Sequence, residues 1–216
     1  MQTQKMKQLS EEQITTNVAR FYELIDKYIE APRKDDLTRF YMSIELALAT
    51  GPASSKITHH NCFPGGYLDH VIRVTEAALV LNNVWDKFGQ KKDYTVDELV
   101  FCAINHDLGK LGTNDKPFYV PNTETWQIEK QGVYYKYNTE MPHMRIADRS
   151  LFYLQQAGIK INEKEFLAIK LHDGLYEESN KSYYITYNSD YEIKSNLPYI
   201  LHQADLMASR VETQIN

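Results

Sequence analysis

The sequence contains little of what secreted, membrane-spanning or nucleic-acid-wrapping proteins need. It has two cysteines, Cys62 and Cys102, too few for a disulfide framework, and free thiols are typical of a reducing compartment. No apolar run is long enough to span a bilayer, and the first 13 residues contain no apolar stretch of signal-peptide length. The net charge of −5 gives no overall positive field for wrapping nucleic acid. We therefore expect a cytoplasmic protein with no membrane partner, in which local cations or a metal ion hold any anionic ligand.

What the sequence has in abundance is helical periodicity. Hydrophobic residues make up 43% and charged residues 25%, an ordinary globular balance, and 216 residues suffice for one domain. Three pairs with capping-box spacing mark helix starts: Ser10/Gln13, Thr95/Glu98 and Asn162/Glu165. Helices are predicted from residue 11 to about 30, and over about 37–50, 67–88, 96–109, 142–156, 163–172 and 197–212. The prediction is a mainly α protein, a single domain over 1–216 with an N-terminal helical extension (1–50) and a helical core (51–212).

Two tyrosine-rich stretches break the helical rhythm. TWQIEKQGVYYKYN (125–138) alternates around a Gln-Gly turn, and KSYYITYNSDYEIKS (181–195) alternates around Asn188–Asp190. This pattern predicts small β-hairpins within 117–138 and 181–195. Alternating aromatic residues suit a half-buried strand, so we expect most of these tyrosines to pack. Stacking of one or two on a base is the alternative.

Ionisable residues recur inside or at the ends of the apolar helices, where an unpaired charge is costly to bury. INHDLGK (104–110) ends one apolar run, and four further positions share this setting: His70, His143, His172 and Asp205. Imidazole and carboxylate without thiolate favour a hydrolytic ion such as Mn²⁺, Fe²⁺, Co²⁺, Ni²⁺ or Zn²⁺ over a structural zinc. Ligands on facing helices of a bundle project towards one point, so we expect a shared site. Taken alone, His70 could instead be a buried histidine bonded to a carbonyl, and Asp205 could pair with Arg210.

Three segments carry a resemblance to a known family: HHNCFPGGYLDH (59–70), FCAINHDLGK (101–110) and LHQADLMASRVE (201–212). They resemble the HD-domain metal-dependent phosphohydrolases, in particular the HD domains of 3′→5′ exoribonucleases and related phage and plasmid proteins. The sequence departs from that pattern at Asp69 and Ser209, neither of which is an expected ligand. The resemblance implies a helical bundle that holds one or two divalent ions, drawn from Mn, Fe, Co, Ni, Zn and Mg.

The resemblance also implies residue roles. Matching the H…HD…D order gives four metal ligands, His70, His106, Asp107 and Asp205. His143 and His172 fall where members with two ions have additional histidine ligands. In such members the aspartate of the HD pair, here Asp107, bridges the two ions.

Cations and histidines near these positions are candidates for contacting substrate. We expect Asp107 to orient the attacking water, and Lys110 and Arg73 to offset phosphoryl charge. Further substrate-binding candidates are His59, His60, Arg145 and Arg149. The alternatives are a solvated helix-end lysine at 110, an ion pair of Arg73 with Asp69 or Glu76, and a polar surface at the two loop histidines.

The expected activity is hydrolysis of a phosphate ester or anhydride of a nucleotide by a metal-activated water. The negative net charge and the lack of an accompanying nucleic-acid module favour this over the second reading, a 3′→5′ exonuclease acting on RNA or single-stranded DNA. A third reading is a non-catalytic module that senses a nucleotide in the same pocket.

Overall fold

A computed structural model describes residues 6–215, so the predicted domain limits at 1 and 216 lie outside the described residues. The helices are α1 Glu11–Tyr28, α2 Arg33–Ser43, α3 Glu45–Thr50, α4 Gly66–Lys87, α5 Val96–Asn105, α6 Thr125–Gln131, α7 Ile146–Gln156, α8 Glu163–Leu171, α9 Lys181–Tyr184 and α10 Leu197–Ile215. Short 3₁₀ helices span Leu108–Lys110, Gly174–Tyr176, Glu178–Asn180 and Ser189–Tyr191, and the strands are β1 Tyr119–Pro121 and β2 Tyr135–Tyr137. The predicted mainly α fold is confirmed. None of the helices within 6–215 combines the length and apolarity that crossing a membrane requires.

Three helices begin where the capping boxes predict. The side chains of Ser10, Thr95 and Asn162 each accept a hydrogen bond from the backbone N–H three residues later, and the side chain there accepts from the capping residue's N–H. These reciprocal bonds satisfy donors that a helix start otherwise leaves open. Local chemistry therefore fixes the starts of α1, α5 and α8.

The core forms where α10 packs along α4 and against α8, and where α5 packs on α4. The first half of α4, residues 66–78, is buried on most of its circumference, and its narrow polar stripe consists of Asp69, Arg73 and Glu76. The N-terminal helix joins the same core through Phe21, Leu24 and Ile25. Of these helices, α4, α5, α8 and α10 carry the candidate metal ligands or directly precede them.

The predicted second helix is interrupted at Ile44, whose φ of −121° and ψ of 26° separate α2 from α3. The side chain of Asn114 inserts at the break: its Nδ2 donates to the Ser43 carbonyl, and its Oδ1 accepts from the Ala47 N–H. A residue distant in sequence therefore ends the helix, which no local pattern in 33–50 could indicate. The predicted helices at 96–109 and 142–156 are also shorter, ending at Asn105 and beginning at Ile146.

The first predicted hairpin has different strands from those expected. Within 117–138, β1 pairs antiparallel with β2, with Tyr119 opposite Tyr137. The stretch 125–131 is helix α6, which ends at Gly132 with a φ of +68°. Buried Asn122 closes this connection by donating to the Val133 carbonyl and accepting from the Glu124 N–H.

The second predicted hairpin, 181–195, was wrong. This stretch has no strand in the structure and forms α9 and a 3₁₀ turn instead. The Asn188 side chain accepts from the Asp190 N–H, a local bond that competes with strand pairing. Tyr187 and Tyr191 are exposed, so the alternation creates no buried face.

Candidate metal centre

Five predicted ligands from four helices meet at one place. His70 comes from α4, His106 and Asp107 follow α5, His172 follows α8, and Asp205 lies on α10. The Nε2 atom of His70 lies 3.2 Å from Asp205 Oδ1 and 3.5 Å from Asp107 Oδ2. The Nε2 atoms of His106 and His172 each lie 3.5 Å from an oxygen of Asp107. The arrangement brings three imidazoles and two carboxylates around a common point.

His106 and His172 are oriented by the ends of their own helices. In each ring, Nδ1 lies 2.8 Å from the carbonyl oxygen three residues earlier, that of Ala103 or Ile169. The last carbonyls of a helix lack partners within the helix, so they are available as acceptors. When the imidazole is neutral and Nδ1–H donates in this way, Nε2 has its lone pair towards the cluster, as in metal-binding histidines.

His70 is oriented by a residue that the sequence reasoning missed. Its Nδ1 lies 3.0 and 3.2 Å from the two carboxylate oxygens of Glu212, which is completely buried. Glu212 is on α10, two helical turns after Asp205 and therefore on the same face. That seven-residue spacing was the signal that could have identified it.

Three buried imidazole nitrogens support a metal ligand set. The Nε2 atoms of His60, His70 and His106 make no hydrogen bond to any residue within 6–215. Leaving a buried polar atom unsatisfied costs roughly 1–3 kcal/mol, so such atoms call for a partner. A divalent cation matches both the lone pairs and the adjacent carboxylates.

The possible ligand atoms form overlapping groups rather than one closed set. In each group they lie within 4.8 Å of one another: His60–His70–Asp107, His70–His106–Asp205, His106–Asp107–His172 and His172–Asp173–Asp205. Asp107 and Asp205 each belong to two groups. The donor set would therefore suit one or two divalent ions, and Asp107 and Asp205 are the carboxylates that two groups share.

His60, predicted as a substrate-binding residue in a loop, lies against the metal cluster. Its ring centroid is 4.6 Å from that of His70. Burial, with repulsion from His70 and Lys110, lowers the pKa of His60 to about 2, so its imidazole is neutral. Neutral imidazole is the form that binds a metal.

The carboxylates around the cluster favour the protonated forms of two of its histidines. Burial opposes charge on His70, but Glu212 and the other nearby carboxylates outweigh it and raise the pKa of His70 well above its ordinary value. Burial is likewise outweighed at His172, where Asp173 and Asp107 raise the pKa to about 10. An incoming metal ion must displace these protons.

The carboxylates of the cluster stay ionised. Burial acts to raise the pKa of Asp107, but Lys110 and His106 outweigh it and hold that pKa well below its usual range. Burial is outweighed in the same way at Asp205, where His70 and His106 lower the pKa. Both aspartates are therefore available as anionic ligands near neutral pH.

A cavity of about 450 Å³, which we call the metal cavity, opens beside the cluster. Its walls include the predicted residues His59, His60 and Lys110, and Lys110 Nζ donates to Asp107 Oδ2 at 2.5 Å. Arg210 also lines it, and its Nη2 donates to the Tyr176 hydroxyl. Lys110 and Arg210 are the fixed positive charges in the wall of this cavity.

Arg73 was predicted to contact phosphate, and the structure places it elsewhere. Its guanidinium lies behind His70, with Nε 3.2 Å from Glu212 Oε1 and Nη2 3.5 Å from Asp69 Oδ2. One turn along α4 brings Arg73 next to the Nδ1 side of the imidazole, away from the metal cavity. It is suited to positioning Glu212 rather than to catalysis.

The remaining predicted residues lie around a second cavity, of about 630 Å³. His143, predicted as a metal ligand, is exposed there and belongs to no candidate ligand group among the described residues, so the structure does not bring it to the cluster. The neighbouring Pro142 carbonyl accepts from Arg149 Nη2, which holds this loop against α7. Arg145 lines the same cavity and pairs with Glu177. Asp173, next to His172, belongs to a candidate ligand group, which His143 does not reach.

Comparisons of this chain with protein-family models, curated proteins and solved structures found no match. The strongest elements of the site are the converging Nε2 atoms, the buried carboxylate of Asp107 with the partly buried one of Asp205, and the separate partner on each Nδ1.

Proposed function

We propose that the chain is a metal-dependent phosphohydrolase of the HD type that acts on a nucleotide or a similar small phosphate ester. The observation that carries the proposal is the convergence of His70, His106, Asp107 and Asp205, with two unpartnered Nε2 atoms facing two ionised carboxylates. A divalent ion bound there supplies an activated water and neutralises phosphoryl charge. The resemblance of the three sequence segments to HD-domain proteins points to the same chemistry.

The protein residues provide a rigid frame for that chemistry. Glu212 holds the His70 ring, and helix-end carbonyls hold the rings of His106 and His172. Fixed ligands of this kind avoid reorganisation during the reaction. The ammonium of Lys110 borders the metal cavity, where it can bind a phosphate oxygen and offset charge that develops in the transition state.

The donor set would accommodate a second ion. The two oxygens of Asp107 face different histidines: Oδ2 is the nearer to His70 and His106, and Oδ1 is the nearer to His172. His172 also groups with Asp173 and Asp205. In this proposal Asp107, which belongs to two of the candidate groups, would contribute to both positions, and Asp173 would contribute in place of His143.

The test is metal content by elemental analysis, followed by phosphate release from a panel of nucleotides and simple phosphate esters with Mn²⁺, Co²⁺ or Mg²⁺. We expect bound metal and metal-dependent turnover, both lost in Asp205→Asn. The matched control is Asp26→Asn, an exposed α1 aspartate that pairs with Lys34, and it keeps both properties.

The outcomes separate the competing functions. Metal binding without release from any member of the panel favours a sensing module. Stepwise shortening of a labelled oligonucleotide, with no release from free nucleotides, favours a 3′→5′ exonuclease. A folded protein that binds no divalent metal at all rejects the proposal.

A further inference from the structure

The 630 Å³ cavity, which we call the second cavity, adjoins the metal centre, and Asp173 is the one lining residue within 6–215 that belongs to a candidate ligand group. It lies between the β1–β2 ribbon and the start of α7, and Asp173 lines both this cavity and the metal cavity. A volume of this size is typical of sites for small organic ligands. One ligand can therefore have one end beside the metal ligands and the other end here.

One wall of the second cavity is aromatic. Phe118 and Tyr137 line it, with ring centroids 5.2 Å apart. Tyr119 does not line the cavity but stacks behind Tyr137, with centroids 5.7 Å apart and an interplanar angle of 28°. The pairing of β1 with β2 fixes this stack, because Tyr119 is directly opposite Tyr137. Tyr137 is still 61% exposed, so part of its ring is free to contact a ligand.

The arginines of the chain differ in how their charge is compensated. Five lie within ion-pair distance of a carboxylate: Arg20, Arg33, Arg39, Arg73 and Arg145. Arg149 and Arg210 have no such partner among residues 6–215. Arg149 lines the second cavity and Arg210 lines the metal cavity. Each cavity is therefore bordered by one guanidinium without a carboxylate partner.

Arg149 is the more unusual of the two because it is only 5% exposed. Its guanidinium lies 5.3 Å from the centroid of the Phe118 ring, and its Nη2 donates to the Pro142 carbonyl. Its Nε makes no hydrogen bond with any residue that the structure describes. A buried cation with an open donor is costly, and a ligand that offers an acceptor would satisfy it.

We infer that the second cavity binds the base of a nucleoside phosphate, stacked on Tyr137 and Phe118 and hydrogen-bonded to Arg149, while the phosphate lies in the metal cavity near Lys110 and Arg210. A planar ring with acceptor atoms is what an aromatic wall with a guanidinium on its face recognises. This inference rests on the proposed phosphohydrolase function and adds to it that the base is part of what the site recognises.

The test compares two substrates on the full chain, a nucleoside 5′-monophosphate and ribose 5-phosphate, which lacks the base. Tyr137→Ala should raise KM for the nucleotide about tenfold, as expected for the loss of one base-stacking contact, and leave KM for ribose 5-phosphate unchanged. The matched control is Tyr191→Ala, an exposed tyrosine that lines neither cavity, and both KM values stay at the wild-type level.

A binding experiment keeps this inference separable from the proposed function. Nucleosides without phosphate are titrated by calorimetry into the metal-loaded wild type and into Tyr137→Ala. Nucleoside binding that Tyr137→Ala weakens supports the base site, even when no phosphate is released from any substrate. Metal-dependent hydrolysis with equal KM values for the two substrates, unchanged by Tyr137→Ala, overturns the base site and leaves the function standing. Absence of both binding and hydrolysis rejects both.

Discussion

Two helix ends in this protein share one local design and differ in their surroundings. His106–Asp107 directly follows α5 and His172–Asp173 directly follows α8, and a 3₁₀ turn comes after each pair. In both, the histidine Nδ1 lies 2.8 Å from the carbonyl three residues earlier. The two rings face each other with centroids 4.9 Å apart, nearly at right angles. The same dipeptide at the same kind of helix end therefore supplies ligands from two sides.

The two sites differ in the burial and the partners of their aspartates, Asp107 and Asp173. The side chain of Asp107 is 3% exposed and is bonded to Lys110, three residues later. The side chain of Asp173 is 46% exposed, and the residue three positions later is Tyr176, whose hydroxyl accepts from Arg210. A buried carboxylate tied to a lysine suits permanent metal holding, whereas an open one suits contact with substrate and solvent. Burial, not the dipeptide, decides the role.

The largest effect is expected at the buried end. Asp107→Asn removes the anion shared by three histidines, and we expect kcat to fall about a thousandfold, the size of loss seen when one preorganised charge is removed from a site. Elemental analysis should show less bound metal. Thermal unfolding of the variant serves as the control for folding. Near-normal turnover by a folded Asp107→Asn protein would contradict the central place given to this residue.

The next effect tests how the third histidine is held. His106 and His172 use backbone carbonyls, but His70 uses the Glu212 carboxylate. Glu212→Gln keeps the shape and removes the charge, and metal affinity should weaken about 10- to 100-fold, as for other residues that orient a metal ligand. Competition with a chelator measures the affinity.

The same variant separates positioning from catalysis. At saturating metal, kcat should return close to the wild-type value, because Glu212 touches His70 and not the substrate. A kcat that stays low at every metal concentration would mean that Glu212 acts in the reaction itself.

The sequence predicts the parts of this site that local patterns encode. Capping boxes predict three helix starts, and ionisable residues within apolar helices identify His70, His106, Asp107, His172 and Asp205. Such residues are recognisable because a core excludes charge that has no purpose there. Asp173 belongs to a second His-Asp dipeptide, but its side chain is half-exposed, so burial in an apolar helix does not identify it.

The remainder depends on tertiary contacts. Arg73 is one turn from His70, but spacing along a helix does not say which nitrogen of the imidazole it will face. His143 lies in a loop whose direction is set by the contact of Arg149 with Pro142. The tyrosine alternation in 181–195 predicts strands only if a partner strand is available, and the structure provides none within the described residues. The alternation of residues within 181–195 does not indicate whether such a partner strand exists.

Substitution of Asp173, the half-exposed aspartate after α8, should reduce activity less than substitution of Asp107, the buried aspartate after α5. We expect Asp173→Asn to lower kcat/KM about fivefold, since an interaction of a half-exposed charge is worth about 1 kcal/mol. The measurement is a comparison of kcat/KM at saturating metal with that of Asp107→Asn. Equal losses of kcat/KM in the two variants would contradict the assignment of different roles to Asp107 and Asp173.

The smallest effect concerns the stability of the metal-free protein. The folded pKa of His172, about 10, lies above the unfolded value near 6.5, so its protonation contributes stability that is complete below pH 6.5 and is lost as pH rises towards 10. His70 is shifted in the same direction. Asp107 and Asp205 are shifted down, so their contribution is present above about pH 4 and is lost in acid.

Chelator-treated protein should therefore show its highest Tm between about pH 4 and 6.5, with a decline of several degrees on the alkaline side. Metal-loaded protein should lack that decline, because the ion takes the place of the protons on both histidines. Differential scanning calorimetry across this range measures both curves, and His172→Gln should flatten the metal-free one. A metal-free Tm that rises from pH 6.5 to 9 would mean that the imidazoles are neutral without metal, and that the carboxylates do not hold the cluster together in the way the distances indicate.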